Sequence, residues 1–170
     1  MSRSDPVWTC SFFVCGVPRP KGNHVAVCPR NCTGRGRPFI TETWSGKQGE
    51  RLREWTKTII VESKKHRPPS PLVGAVELDV AFYFPRPKKP KSEYPAGRVG
   101  DLDKLLRAVC DAIQVNVKKG TPKGCLVVDD NQFCGGILAR RYCDEANPDA
   151  GARITLRALE PQPLQLFKEG

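Results

Sequence analysis

The sequence predicts a single α+β domain built from a mixed β-sheet and two main helices. Residues 75–84 alternate apolar and polar side chains with period two, which is typical of a strand. Residues 43–66 and 100–113 instead place apolar side chains at helical spacing. Strands and helices are interspersed along the chain, which favours the α+β class. A length of 170 residues suits one domain over about residues 1–160, followed by a carboxy-terminal tail at 161–170.

The amino-terminal part predicts a strand followed by a basic segment. Residues 8–17 alternate apolar and polar side chains and form the expected first strand. Residues 18–40 are rich in Gly, Pro and Arg, which predicts a basic loop or loose hairpin within the domain. A short strand is expected at its end, around residues 39–41.

Both predicted helices are amphipathic. The first carries apolar residues at i, i+3 and i+7, namely Leu52, Trp55 and Ile59. The second carries them at i, i+3, i+4, i+7 and i+11, namely Leu102, Leu105, Leu106, Val109 and Ile113. A proline-rich stretch at residues 66–71 ends the first helix. Each helix is therefore expected to pack one face against the sheet.

The remaining strands are predicted from the middle and the end of the chain. Residues 75–84 are expected to bury their apolar face and to leave Glu77 and Asp79 on a solvated face. Residues 125–128 predict a short buried strand that ends at an acidic corner. Two further strands, with hairpin-like connections, are expected around residues 136–142 and 152–159.

The charge balance indicates a polyanionic partner. Lys and Arg number 28 against 18 Asp and Glu, which gives a net charge of +10. No stretch approaches the ~20 apolar residues of a membrane span. The eight cysteines form no C-x-x-C pair and no secretory signal segment is recognised, so reduced cytosolic thiols are expected rather than a disulfide framework.

The acidic residues of this basic chain are concentrated in two short motifs. Five of the eighteen lie between residues 101 and 130, namely Asp101, Asp103, Asp111, Asp129 and Asp130. If the two motifs meet, crowded carboxylates require a cation, and oxygen ligands without thiolate or imidazole select Mg²⁺ or Mn²⁺. Such an ion within a cationic DNA-binding surface indicates phosphodiester hydrolysis.

A purely structural role remains the alternative for these acids. Asp is favoured at a helix start, and Asp-Asp-Asn is common in turns. Asp111 stands four residues after Arg107 and is expected to be an ion-pair partner rather than a metal ligand.

These motifs resemble the signature of RusA-type Holliday junction resolvases, as found in phage-encoded members. The likeness is carried by GDLDKLLRAVCDAI at residues 100–113, VVDDNQ at 127–132 and VCGVPRPKG at 14–22, and it extends over about residues 10–158. The resemblance implies a homodimeric, Mg²⁺-dependent endonuclease that nicks four-way DNA junctions. It assigns metal-binding aspartates to Asp101, Asp103 and Asp130, with Asp129 as an auxiliary.

Two positions depart from the family pattern. Lys104 stands where Asn is usual, and Arg107 stands where the family has a catalytic Lys. Arginine keeps its proton at neutral pH, so Arg107 cannot act as a general acid or base, but it can stabilise charge on the scissile phosphate. Lys104, one turn earlier, is the alternative source of the ammonium group that the family's catalytic Lys supplies.

Basic residues outside the acidic motifs are candidate phosphate contacts, with a solvated charged loop as the alternative. They are Lys21, Arg30, Arg35, Arg37, Arg86, Lys88, Lys89, Lys91, Arg98 and Lys104. A minor alternative is a zinc site formed by His24, Cys28 and Cys32 with Cys15, although their spacing matches no standard knuckle.

Three functions remain open at this point. The first is a structure-selective endonuclease that resolves four-way junctions. The second is a catalytically inactive branched-DNA-binding protein of the same fold, which lost turnover through the changes at Lys104 and Arg107. The third is a metal nuclease for flaps or other branched DNA.

Overall fold

A computed structural model describes most of the predicted elements. The residues it describes are 6–22, 24–27, 39–42, 46–85, 100–115, 126–142 and 150–159. The predicted tail at 161–170 and the basic loop at 86–99 lie outside them.

The chain forms a mixed sheet with two main helices, which confirms the α+β class. In chain order the elements are β1 (Trp8–Cys15), β2 (His24–Val27), β3 (Phe39–Glu42), α1 (Lys47–Lys65), β4 (Val76–Tyr83), α2 (Leu102–Ile113), a 3₁₀ helix (Asp130–Gly135), β5 (Gly136–Tyr142) and β6 (Gly151–Ala158).

The four-stranded sheet has the order β1-β6-β4-β5, and β2 and β3 form a separate antiparallel pair. Strand β6 is antiparallel to both β1 and β4, whereas β5 is parallel to β4. The expected hairpin-like connection late in the chain is therefore wrong for β5 and β6, because β4 lies between them. Parallel pairing of β4 with β5 requires a crossover, and α2 lies on that crossover.

The core lies between the sheet and the two helices. Trp55 and Ile59 of α1 are buried, as the helical spacing predicts. The leucine face of α2 is buried most completely at Leu105, Val109 and Ile113. Because this apolar face is fixed on the core, the opposite polar face of α2 is directed to solvent.

The polar face of β4 differs from the prediction of a solvated surface. Glu77 is only 8% exposed and lies 3.6 Å from the guanidinium of Arg157 on β6. The carboxylate of Asp79 accepts two hydrogen bonds, both of 2.7 Å, from Arg140 on β5. The prediction fails because β4 is a central strand, so its acids meet arginines on both neighbours.

The predicted strand at 125–128 is also not a ladder strand. Leu126 and Val127 are fully buried, but the segment makes only isolated bridges, from Val127 to Leu72 and to Gln114. It is wedged between two different segments, since the Leu126 N–H donates to the carbonyl of Ile113 at 2.9 Å while its carbonyl accepts from Leu72. Its apolar residues therefore anchor the acidic corner without extending the sheet.

Candidate active site

The start of α2 presents Asp101 and Asp103 to solvent. Asp101 occupies the N-cap position, and its carbonyl accepts the Leu105 N–H at 3.1 Å, but its carboxylate makes no capping hydrogen bond. That carboxylate is 66% exposed and pairs with Lys104. Asp103 is exposed in the first turn, where the helix dipole favours an acid. Capping therefore does not account for the Asp101 side chain.

The polar face of α2 continues from Asp103 through Arg107 to Asp111. Their spacing of four residues places the three side chains along one side of the helix. Asp103 and Arg107 are exposed, and Asp111 is half-buried. At 1.5 Å per residue, Asp103 and Asp111 are about 12 Å apart along the axis.

The acidic corner at Asp129 and Asp130 is fixed by a side-chain network centred on Gln132. The Gln132 Oε1 atom accepts the N–H groups of Val128 at 2.7 Å and Asp129 at 2.9 Å. Its Nε2 atom donates to the carbonyls of Leu72 at 2.7 Å and Gly74 at 2.9 Å. One amide therefore ties the corner to the segment that leads into β4.

Asp129 completes this network as the N-cap of the 3₁₀ helix. Its carboxylate accepts the Asn131 N–H at 2.9 Å, and with Gln132 it forms a capping box. The role of Gln132 is not among those predicted from the sequence. The D-x-x-Q spacing at 129–132 was the available signal, because a capping box joins the N-cap residue to the side chain three residues later.

The corner meets the polar face of α2 at Asp111. The pKa of Asp130 is raised by partial loss of solvent, by a hydrogen bond with Asp129, and by the negative charges of Asp129 and Asp111. Because Asp130 is exposed, its loss of solvent is incomplete, and the neighbouring carboxylates also raise its pKa. The structure thus brings Asp111, Asp129 and Asp130 into one electrostatic group.

The segment after β1 lies along α2 and neutralises part of this charge. The backbone N–H of Lys21 donates to the carbonyl of Lys104 at 3.1 Å, and its ammonium group pairs with Asp111. Gly100 allows this approach, because a Cβ atom there would lie 2.6 Å from Cγ of Pro20. Lys21, rather than the expected Arg107, is therefore the ion-pair partner of Asp111.

The two candidates for the cationic catalytic role differ in their surroundings. Lys104 is held by Asp101 at the start of the helix. Arg107 is exposed, and no ion pair of its guanidinium is found within the described part of the chain.

The donor chemistry of the site suits a hard divalent cation, but a closed cage is not formed. Across the described residues, no three His, Cys, Asp or Glu side chains are arranged to hold a metal ion. The carboxylates of Asp101 and Asp111 are each paired with a lysine, whereas Asp129 and Asp130 face each other. Loss of solvent and the neighbouring charges of Asp129 and Asp111 raise the pKa of Asp130, and a bound cation would offset those charges.

Most of the predicted phosphate contacts cannot be placed. Of that set, the described side chains are Lys21 and Lys104, both of which pair with aspartates. The others lie outside the described residues, namely Arg30, Arg35, Arg37, Arg86, Lys88, Lys89, Lys91 and Arg98. Cys28 and Cys32 of the alternative zinc site lie outside them as well.

Two of the four described thiols, those of Cys10 and Cys110, are not suited to nucleophilic catalysis. Cys10, Cys15, Cys110 and Cys134 are free. Burial, together with the charges of Asp111 and Asp130, raises the pKa of Cys110 to about 12. Burial raises the pKa of Cys10 to about 11. Since the thiolate is the reactive form, neither group is activated at neutral pH.

The fold and this site define a basic α+β protein with exposed, clustered carboxylates. None of the helices in the described segments is long and apolar enough to cross a membrane. The family model for the endodeoxyribonuclease RusA matches residues 18–157, well over half of the chain. The chain belongs to the RusA endodeoxyribonuclease family. A search of curated proteins finds no significant match.

Proposed function

We propose that this protein is a divalent-metal-dependent endonuclease that resolves four-way DNA junctions by paired phosphodiester hydrolysis. Membership of the RusA endodeoxyribonuclease family supports endonuclease activity on such junctions. The single observation that carries the proposal for this chain is the electrostatic group of Asp111, Asp129 and Asp130, which includes a residue of the helix whose first turn carries Asp101 and Asp103. The net charge of +10 supports binding to the DNA backbone.

Asp101, Asp103 and Asp130 are the proposed ligands of Mg²⁺ or Mn²⁺, with Asp129 as an auxiliary. A divalent ion supplies a Lewis acid for a phosphate oxygen and lowers the pKa of a bound water. The exposure of Asp101, Asp103 and Asp130 supports this assignment, because substrate can approach them.

The cations of the site have separate proposed roles. Arg107 stabilises the negative charge that develops on the scissile phosphate, since it remains protonated and can bind two phosphate oxygens. Lys104 holds the Asp101 carboxylate at the helix start and is the second candidate for this role. Lys21 neutralises Asp111, which reduces the repulsion between the site and an incoming phosphate.

A homodimer is proposed because symmetric nicking of a four-way junction needs two active sites. The dimer and the bacterial or phage-infected cytoplasm are proposed from the resemblance, and the single domain over residues 1–160 is proposed from the length of the chain. Sedimentation of the protein alone tests the dimer directly.

The experiment that separates the remaining functions is a cleavage assay with synthetic DNA. Wild-type protein is incubated with Mg²⁺ and a four-way junction, a flap or a linear duplex, and binding is measured in parallel without divalent ions. Paired nicks in the junction that Asp103→Asn abolishes, with binding retained, support the proposal. Binding without cleavage supports the inactive branched-DNA-binding protein, and preferential cutting of the flap supports the third function.

A further inference from the structure

A cleft of about 340 Å³ lies between α1 and α2, next to the candidate active site. Its rim carries Arg53 and Lys57 from α1, Lys21 from the segment after β1, and Asp111 from α2. Asp111 also belongs to the electrostatic group with Asp130. The cleft therefore shares Asp111 with the electrostatic group that contains the proposed metal ligand Asp130.

The charge of the cleft favours an anion. Three cations stand against one carboxylate, and that carboxylate is already paired with Lys21. Arg53 and Lys57 are exposed, and among the described residues neither has a carboxylate within ion-pair distance. The two cations lie one turn apart on the same side of α1, so both can reach one extended ligand.

The floor of the cleft is apolar. Leu52 and Ile60 of α1 are half-buried there, and Ala108 of α2 is buried. A cationic rim above an apolar floor matches a sugar–phosphate chain, with phosphates at the rim and deoxyribose against the floor. The volume is that of a small-ligand pocket, so it fits about one nucleotide of a single strand rather than a duplex.

We propose that this cleft binds the backbone of the DNA strand that enters the active site, with Arg53 and Lys57 as phosphate contacts. The inference rests on the proposed function for its choice of DNA as the anion. It adds two contacts on α1 to that function, and it gives the strand a path from α1 past Lys21 to Asp130.

The test is a DNA-binding titration without divalent ions, using a fluorescent four-way junction and the Arg53→Ala/Lys57→Ala variant. Helix α1 offers a matched control in Lys47→Ala/Arg51→Ala. That pair has the same i, i+4 spacing and is also exposed, but it lies on the side of the helix away from the cleft. Both variants lose two positive charges, so a difference between them reports position and not net charge.

Loss of the two cleft cations is expected to weaken binding on the order of 10-fold near physiological salt. The slope of log K against log salt should become shallower by roughly 1.8, which is two contacts at about 0.9 each. The control should change both quantities much less, and Arg53→Lys/Lys57→Arg should bind as the wild type does. Equal losses in the cleft variant and the control, or no loss in the cleft variant, would overturn the proposal.

This outcome is distinguishable from failure of the proposed function. If the wild type binds junctions through Arg53 and Lys57 but does not cut them, the proposed nuclease activity is rejected and the cleft assignment is retained. A wild type that cuts junctions, with the cleft variant binding and cutting equally well, sinks the cleft assignment alone.

Discussion

Asp129 and Asp130 are adjacent carboxyl groups at the start of the 3₁₀ helix, with Asp129 at its N-cap and Asp130 as its first residue. Partial loss of solvent raises the pKa of Asp130, and the neighbouring Asp129 carboxyl and the charge of Asp111 raise it further. In the absence of a cation, this corner is therefore a point of stored repulsion at neutral pH.

Asp130→Asn should stabilise the metal-free protein at neutral pH. A carboxyl with a raised folded-state pKa stabilises the fold below its unfolded pKa of about 3.9, and this contribution is lost as pH rises through the folded value. The melting temperature of the variant should therefore exceed that of the wild type at pH 7, with the difference disappearing in acid. Thermal denaturation with a chelator present, at several pH values, measures this.

Asp103→Asn is the matched control for that measurement. Asp103 is exposed in the first turn of α2, where the helix dipole stabilises its negative charge. This variant should lose about 0.3–1 kcal/mol of stability at neutral pH. If Asp130→Asn is destabilised to the same degree, the account of the corner is wrong.

Gln132→Ala should impair the site while leaving the protein folded. The Gln132 side-chain amide makes four hydrogen bonds that tie the corner to residues 72–74 and 128–129. By analogy with residues that orient metal ligands, we expect a loss of about 10–100-fold in metal affinity or cleavage rate. Asn131→Ala is the control, since the described contact of Asn131 at the corner uses its backbone N–H. Equal activity of the two variants would remove Gln132 as a positioning residue.

Substitutions at Arg107 and Lys104 show which of the two cations stabilises the charge on the scissile phosphate. Arg107→Ala should lower the cleavage rate on the order of 10²-fold if its guanidinium stabilises the transition state, while Arg107→Lys should retain most of the activity. Lys104→Ala should have a smaller effect through Asp101 alone. Single-turnover cleavage rates decide the assignment. Wild-type rates for Arg107→Ala together with a large loss for Lys104→Ala would transfer the role to Lys104.

Gly100→Ala tests whether the segment at 18–22 must lie against α2. Gly100 has φ +88° and faces Pro20, whereas Gly46 has φ +63° with nothing within 4 Å of a Cβ atom. Gly100→Ala and the control Gly46→Ala both place a Cβ atom on a residue with positive φ, which is unfavourable for an L-amino acid. Gly100→Ala should lose additional stability and also cleavage, because it displaces the segment that carries Lys21. Matching denaturation curves for the two variants would contradict this contact.

Local patterns in the sequence predicted most of the fold. Two local patterns correctly predict a buried face. They are the period-two alternation of 75–84 and the helical spacing of Leu105, Val109 and Ile113. Strand order could not be predicted in this way. The insertion of β4 between β5 and β6, and with it the burial of Glu77, depends on pairing between distant segments.

The sequence predicts which acidic residues belong to the candidate site, but not which residues form ion pairs with them. The acidic motifs at 101–103 and 129–130 were visible because they stand out in a basic chain. The pairing of Asp111 with Lys21 spans ninety residues of sequence, so helical spacing indicated Arg107 instead. The sequence gives no indication that Arg53 and Lys57 line a cleft, because charged residues at these positions are typical of any solvent-exposed helix face.

The central claim is that the start of α2 and the Asp129–Asp130 corner bind one divalent ion together. Its most direct measurement is a Mn²⁺ titration, by calorimetry, of metal-free wild type, Asp103→Asn, Asp130→Asn and the double variant. A shared ion predicts that either substitution alone weakens binding by at least about 10-fold, and that the double variant loses little more. Wild-type Mn²⁺ affinity in Asp103→Asn, or no binding by the wild type itself, would contradict the claim.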